Sequence, residues 1–524
     1  MDVLIPPHEA TPGRVRRRAQ RIARSFAAPA AALALIGAGV LGPVATSAVP
    51  ASAAVRAVAS GVTSGSVTLT GAGFGHGVGM SQYGAYGMAR DGSSVQKILT
   101  HYYSGTTVTG HSDDVDLKVN VVDRGSRVAL SSTSLVSGGG ALRLISSGGV
   151  VFDLPAGSTA TVTPVGGMVS VDTAPAGGTA RTFTTSVLTV RWSGGRGMSG
   201  PASLLTVASR SANATTTWGK TRNYRWGSLQ LSATPRSETD GITRSRIEAV
   251  AVVNLHSEYL RGIAEMPSSW PDAALQAQVV AARNYALAAY QRGTLSNCGG
   301  CNLWDDTRSQ VYQGWAKESE AGYGSRWVAA VNATQTSSSE GLIVLYQGSV
   351  VSAYFSSSSG GRTRDAASAW GSAVPYLISV PDPWSVDPAV NPSYSHWTRS
   401  VPVPKLLTMF GLSDITQLEV TKKDTGGAMV SVTATSSDGT VRTVAGSTFS
   451  HGLALPAPWV NAVALPEADQ PPVDPAAGAT AGPAPSDGSG AASSGGGSAS
   501  VTGCESALPR RTVGGKPPVC PARA

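Results

Sequence analysis

Between residues 63 and 466 the chain runs through short period-two stretches separated by turn residues, among them VDLKVNVV, STATVTPV, VLTVRW, LTVAS and MVSVTATS. Alternation of this kind predicts antiparallel sheet. One run breaks the pattern. Residues 270–291, WPDAALQAQVVAARNYALAAYQ, are rich in Ala, Leu and Gln, with Leu275, Val279, Ala282, Ala286 and Ala289 at three- and four-residue spacing. This predicts a buried helix, with Pro271 in its first turn and Ser268 or Ser269 as its cap. A second helix is expected over residues 244–259, where Ile247, Val250 and Leu255 would share a face. The fold class is therefore α+β: a mixed, β-rich body around a central buried helix.

The 40 Lys and Arg against 32 Asp and Glu give a formal charge of +8. Its position decides its meaning. Residues 14–24, RVRRRAQRIAR, hold six arginines and precede an uncharged apolar stretch that ends in PASAAV. Residues 1–53 thus read as an export signal cleaved after Ala53, with an uncleaved anchor as the other reading. Six Arg less Asp2 and Glu9 place +4 of the +8 in that segment. The remainder forms no basic and aromatic stripe and no nucleic-acid-binding motif, so nucleic acid is excluded as a partner. No 20-residue apolar run occurs in the body, so stable membrane insertion after cleavage is not expected. Residues 467–500, almost all Pro, Ala, Gly, Ser and Asp, read as a flexible linker, and 501–524 as a tail closed by Cys504 and Cys520.

Four segments have the composition of chemistry. Glu265 falls in a short non-helical link, flanked by Ala264, Met266 and Trp270. An apolar wall there would raise the carboxyl pKa and suit it to general acid work, while Glu258 reads as a supporting carboxylate and a helix-cap or surface role is the alternative for Glu265. The glycine-rich GAGFGHGVGMSQYGAYGMA at 71–89 offers His76, Ser81, Gln82 and Tyr83 as polar contacts. It lacks the Lys and Ser/Thr of a phosphate loop, so nucleotides are not indicated. Residues 351–370 carry a serine and glycine loop, with Ser358, Ser359, Gly360, Gly361 and Thr363 suited to hydrogen bonding a sugar or peptide, and no G-x-S-x-G elbow. In NCGGCN, Cys298 and Cys301 favour a local disulfide in an exported protein. Two thiolates with His256 or a water are the makings of a zinc site, and a redox role is the third reading.

Taken together, EYLRGIAEMPSSWPDAALQAQVVAARNYAL, SQVYQG, VNATQTSSSEGLIVLYQGSVVSAYFSSSSGGRT and GFGHGVGMSQYGAYGMA followed by VQKILTHYYSGT closely resemble the SpoIID/LytB family of bacterial cell-wall proteins. The resemblance covers roughly residues 73–106 and 242–461. Its sporulation members are lytic transglycosylases acting on glycan strands stripped of stem peptides, and the family's catalytic glutamate carries over to Glu265. LytB-like members instead enhance an N-acetylmuramoyl-L-alanine amidase. The resemblance thus implies peptidoglycan glycan as partner, with a cell-wall amidase as a further one, and a secreted or wall-associated location. Gln278, Arg283 and Tyr285, on the helix, join the candidate substrate contacts.

Two departures from the family pattern matter. Zinc-bearing members supply a histidine and two more widely spaced cysteines ahead of the SQVYQG motif, whereas here only CGGC precedes Ser309 and no His lies between 256 and 396. No metal and no cofactor is expected. The glycine-rich motif normally closes the domain, after a segment like STFSHGLALPAPWV, yet here it stands far ahead of Glu265, as in a circular permutation. The expected plan is a glycine-rich segment at 54–107 completing the domain, an inserted β-rich module at 108–240, and the family core at 241–466. If so, His76 and Gln82 line the cleft of Glu265.

Overall fold

The computed structural model describes residues 55–211 and 220–466. The export signal expected at 1–53, the linker at 467–500 and the tail with Cys504 and Cys520 lie outside the described residues. Among the described residues, no helix is long and apolar enough to cross a membrane.

The five alternating stretches all lie in strands, and the molecule is a mixed α+β fold dominated by a large curled sheet. The hub of that 12-stranded sheet is the 19-residue strand Asp116–Ser134. Its first half pairs antiparallel with Thr243–Asn254, and its second half with Ser203–Ser211 and Thr159–Val165. The register shifts at Gly125 and the positive φ of Arg124 mark a bulge between the halves. A bulge bends and twists a strand locally, so one strand serves two parts of the sheet.

The helix α3 (Asp272–Arg292) is the central buried helix. Leu275, Val279, Ala282 and Ala286 pack on the core of the large sheet. Ala277, Val280 and Ala281 pack on a second core with Met88 of α1 (Gln82–Arg90) and Ile98 and Leu99 of α2 (Val95–Tyr102). A helix held between two cores must be apolar on most of its circumference, and its many alanines allow close approach on both sides. Its start differs from expectation. Pro271 occupies the cap position without a side-chain cap, and the Ser268 hydroxyl donates instead to Glu320 at 2.6 Å.

The second expected helix is a strand. Thr243–Asn254 lies between Asp116–Ser134 and Ser228–Ser237, with Ile247 to Ala251 all buried. A central strand covered on both faces loses its alternation, so the run IEAVAVV imitates a helical face although its β-branched content favours the sheet. Only a 3-10 turn, Tyr259–Gly262, follows before the link that carries Glu265.

The two ends of the described chain are woven together. Ser66–Ala72 pairs antiparallel with both Trp397–Pro402 and Trp459–Ala464, and Arg56–Val62 pairs with Ile415–Lys423. Val67, Leu69, Phe410, Leu418, Phe449 and Val460 form the core beneath them. This brings the glycine-rich segment against the strands Trp397–Pro402 and Trp459–Ala464. Glycine is required where they meet. A Cβ at Gly77, whose φ is +73°, would lie 2.0 Å from the Trp459 ring, and one at Gly79 would lie 2.1 Å from the Tyr354 carbonyl oxygen.

Candidate functional site

Glu265 lies between the 3-10 turn and α3, partly exposed, with Met266 buried beside it and Trp270 half-buried at the end of the link. Its Oε1 accepts a hydrogen bond from the Val311 N–H at 2.6 Å. Burial raises the carboxyl from 4.5 to about 7, and the Val311 bond only partly opposes this. At neutral pH the carboxyl is therefore poised between acid and conjugate base.

Three glutamine groups tie the floor of the site together. Gln82, at the start of α1, donates from Nε2 to the Glu265 carbonyl oxygen at 3.0 Å and to Gln278 Oε1 at 3.1 Å. Gln82 is thus in the Glu265 neighbourhood despite its distance in sequence. Gln310, next to Val311, accepts from the Tyr259 hydroxyl through Oε1 at 3.0 Å. The Nε2 atoms of both Gln278 and Gln310 are buried without a hydrogen-bond partner among the described residues.

Half-buried rings surround this floor. Tyr83 and Tyr86 pack on Trp270 with ring centroids 5.0 and 4.8 Å apart, and Tyr83 meets Tyr394 at 6.0 Å. Tyr285 of α3 meets Tyr354 edge-on at 5.7 Å, and burial pushes its hydroxyl up to about 12. His76 belongs to this second group, with its ring 5.4 Å from Trp370. Burial, then the charge of Arg364, lowers His76 to about 4, and its Nδ1 accepts from the Val78 N–H, so it is neutral at ordinary pH.

Other expected contacts point inward. Ser81 caps α1 by accepting from the Gly84 N–H. Ser359 donates to the buried Asp382 at 2.7 Å, and Asp382 also accepts from the Tyr102 hydroxyl. Ser358 and Thr363 are buried and bonded to neighbouring loops, Ser358 through Ser385 and Asn391 and Thr363 through Ile378 and Val380. Gly360 lies under the Trp459 ring, where a Cβ would clash at 2.1 Å, and Gly361 needs its φ of +102°. The side chains of Ser81, Ser358, Ser359 and Thr363 are thus bonded within the fold. Arg283 is likewise tied into the interior. It is fully buried, 2.7 Å from Asp113, which also binds His256 Nδ1 at 2.6 Å, and its other nitrogens bond Thr334 and the Leu342 carbonyl. Glu258 accepts from the Asn254 N–H and from Arg196, which fixes the turn after the strand.

Cys298 and Cys301 are joined by a disulfide, with Cα atoms 5.5 Å apart, so neither sulfur is a free thiolate for zinc. A cavity of about 330 Å³ between Asp123, Lys220, Asp305 and Arg308 contains none of the expected site residues. Its charges are already paired, Lys220 with Asp305 and Arg308 with Asp123 and Asp306.

Sequence reasoning did not single out Gln310, Val311, Tyr259, Tyr354, Trp370 or Tyr394. The SQVYQG segment held the signal for the first two, since it recurs in the resemblance; the rings had none, because single aromatics in sheet proteins are ordinary core residues.

Comparison with known proteins relates part of the chain to a family. Residues 243–338 match the SpoIID family, described as Stage II sporulation protein, so the chain carries a SpoIID/LytB-like domain. Among curated relatives, it is similar to the amidase enhancer of Bacillus subtilis (strain 168), 35% identical over 144 residues, which are 28% of this chain and 17% of that protein. It is likewise similar to stage II sporulation protein D of Bacillus amyloliquefaciens, 33% identical over 161 residues, 30% of this chain and 45% of the relative. The Bacillus subtilis (strain 168) protein of that name is 32% identical over 164 residues, 30% and 46% of the two chains. The aligned stretch spans less than half the length of these relatives.

Proposed function

We propose that this is an exported cell-wall protein whose SpoIID/LytB-like domain binds peptidoglycan glycan strands at Glu265 and enhances an N-acetylmuramoyl-L-alanine amidase. The observation that carries the reading is the set of half-buried rings near a partly exposed carboxyl, Tyr83 and Tyr86 on Trp270 and Tyr285 against Tyr354, since ligand sites pair aromatic faces with a few polar groups. The similarity to an amidase enhancer favours this non-catalytic form.

A second reading, lytic transglycosylation, is favoured by the raised pKa of Glu265. In that reaction the protonated carboxyl gives its proton to the glycosidic oxygen between N-acetylmuramic acid and N-acetylglucosamine as the C1–O bond breaks. The carboxylate then removes the C6 hydroxyl proton as O6 bonds to C1, which leaves a 1,6-anhydro end and restores the acid. One carboxyl serves both steps, so the second carboxylate of most glycoside hydrolases is not needed.

We also take the glycine-rich segment to be the closing motif of the domain in circularly permuted order. In support, the Gly75 N–H donates to the Pro456 carbonyl oxygen at 3.0 Å, Ala72 lies opposite Trp459, and Gln82 reaches Glu265. The intervening strands then form an inserted β-rich module.

One experiment separates the two readings. Purified protein is incubated with glycan stripped of stem peptides and, separately, with intact peptidoglycan and a wall amidase, and the products of both are analysed by mass spectrometry. The enhancer reading expects faster amidase turnover, retained by Glu265→Gln, and no new anhydro ends. New anhydro ends that vanish in Glu265→Gln would replace it with the catalytic reading, and absence of both effects would reject the wall assignment.

A further inference from the structure

Three hairpin turns of the large sheet meet at one end of it, and none carries an expected site residue. They join Leu142–Ser146 to Val151–Leu154, Thr159–Val165 to Met168–Ala174, and Ser228–Ser237 to Thr243–Asn254. Contacts link each turn to the next. The Ser147 N–H donates to Thr185 Oγ1 at 2.9 Å, Thr185 lies opposite Val169 next to Met168, and the Ser245 hydroxyl donates to the Gly166 carbonyl oxygen. Turns facing water ordinarily carry polar residues, because an apolar side chain gains nothing there. These carry aliphatic ones. Val150 is 56% exposed, Val151 49% and Ile242 53%, while Val165 and Met168, at 51% and 44%, face each other across Gly166 and Gly167. The five belong to thirteen large hydrophobic side chains this exposed among the described residues, so apolar exposure is concentrated at this end. A Cβ at Gly149, Gly166, Gly167 or Gly241 would meet nothing within 4 Å, so the turns project into open space.

We propose that this end of the sheet docks on a membrane, its three turns dipping into the acyl-chain boundary of a bilayer that contains anionic lipid. Two observations select a bilayer over a protein. The apolar groups are aliphatic and stand on separate projecting turns, whereas protein interfaces favour aromatic and Arg anchors seated in shared pockets. A fluid apolar layer accepts protrusions of any outline. The charge fits as well. Residues 146–151 and 165–168 hold no ionisable side chain, and Glu238 and Asp240 are paired with Arg246 and Arg244, so no bare carboxylate would enter the headgroup layer. With +4 of the +8 in residues 1–53, the rest of the chain carries +4. Arg124, exposed on the bulge where Gly125 lies opposite Ile247, makes no ion pair among the described residues, which suits an anionic headgroup.

The test is flotation of the chain from residue 54 onward, which contains all the described residues, with vesicles of phosphatidylcholine alone and of phosphatidylcholine mixed with phosphatidylglycerol. Val165→Asp and Ile242→Asp each place a carboxylate on one turn, and Val441→Asp does so at a side chain 54% exposed on a different sheet. All three positions face water, and thermal melts verify that each variant is folded. The unaltered chain should float with the mixed vesicles and less with phosphatidylcholine alone. Each turn variant should bind the mixed vesicles about tenfold less, and Val441→Asp as the unaltered chain does. No flotation of the unaltered chain, or turn variants that float as well as Val441→Asp, would overturn the proposal. Turn variants that float normally but lose amidase stimulation, or lose a dimer measured by light scattering, would assign the surface to a protein instead. Vesicle binding does not involve Glu265, so its failure leaves the glycan-binding reading standing.

Discussion

Replacing Glu265 with Gln should make the protein more stable, and only above a particular pH. In the unfolded chain the carboxyl ionises near 4.5, whereas in the folded protein burial holds it to about 7. Below pH 4.5 both states keep the proton and the group contributes no difference. As pH rises from 4.5 to 7 the unfolded chain loses its proton while the fold retains it, so ionisation increasingly favours unfolding. Above pH 7 the penalty is constant. At about 1.4 kcal/mol per unit of pKa, the shift corresponds to about 3 kcal/mol, reduced to about 2 because the side chain is partly exposed. Gln fits the same space and its Oε1 still accepts from the Val311 N–H, so the substitution removes the ionisation and little else. Denaturant unfolding of both proteins at pH 4 and pH 8 gives the two gaps. Other titrating carboxylates, such as Asp382 and Glu248, are present in both proteins and cancel in the comparison. The expected gap is near zero at pH 4 and about 2 kcal/mol in favour of the variant at pH 8. A gap that does not change with pH would show that the site does not hold the proton, and the acid role would lose its physical basis.

Two further substitutions probe the frame that positions the site. Gly84→Ala places a Cβ 1.9 Å from the Tyr102 hydroxyl and 2.2 Å from Asp382 Oδ1, so α1 must shift; thermal melts should show a loss of about 2 kcal/mol, with weaker glycan binding because Gln82 moves with the helix. Asp113→Ala leaves Arg283 buried without its counter-charge and should cost about 3 to 5 kcal/mol in denaturant unfolding, whereas Arg283 as a substrate contact would predict lost binding at unchanged stability.

How much was legible from sequence follows from the range of each signal. Strands with one solvated face announced themselves by alternation, as in Val187–Trp192, and α3 by its spacing of Leu, Val and Ala. Thr243–Asn254 was misread because a strand buried on both faces has no period left to distinguish it. Serine and threonine side chains are equally at home on a cleft wall and inside a polar core, and only the fold sets Ser359 against Asp382 and Thr363 against Val380.

The sequence by itself determined the α+β class, the central helix and the link carrying Glu265, because propensity, periodicity and an apolar neighbourhood are local properties. Tertiary structure alone decided that Gln82 reaches Glu265, that Val311 holds its carboxyl, and that rings from three separated segments meet along α3. Those contacts join residues far apart in the chain, and which distant segments meet is fixed by sheet pairing and core packing, above all by Ser66–Ala72 lying between Trp397–Pro402 and Trp459–Ala464.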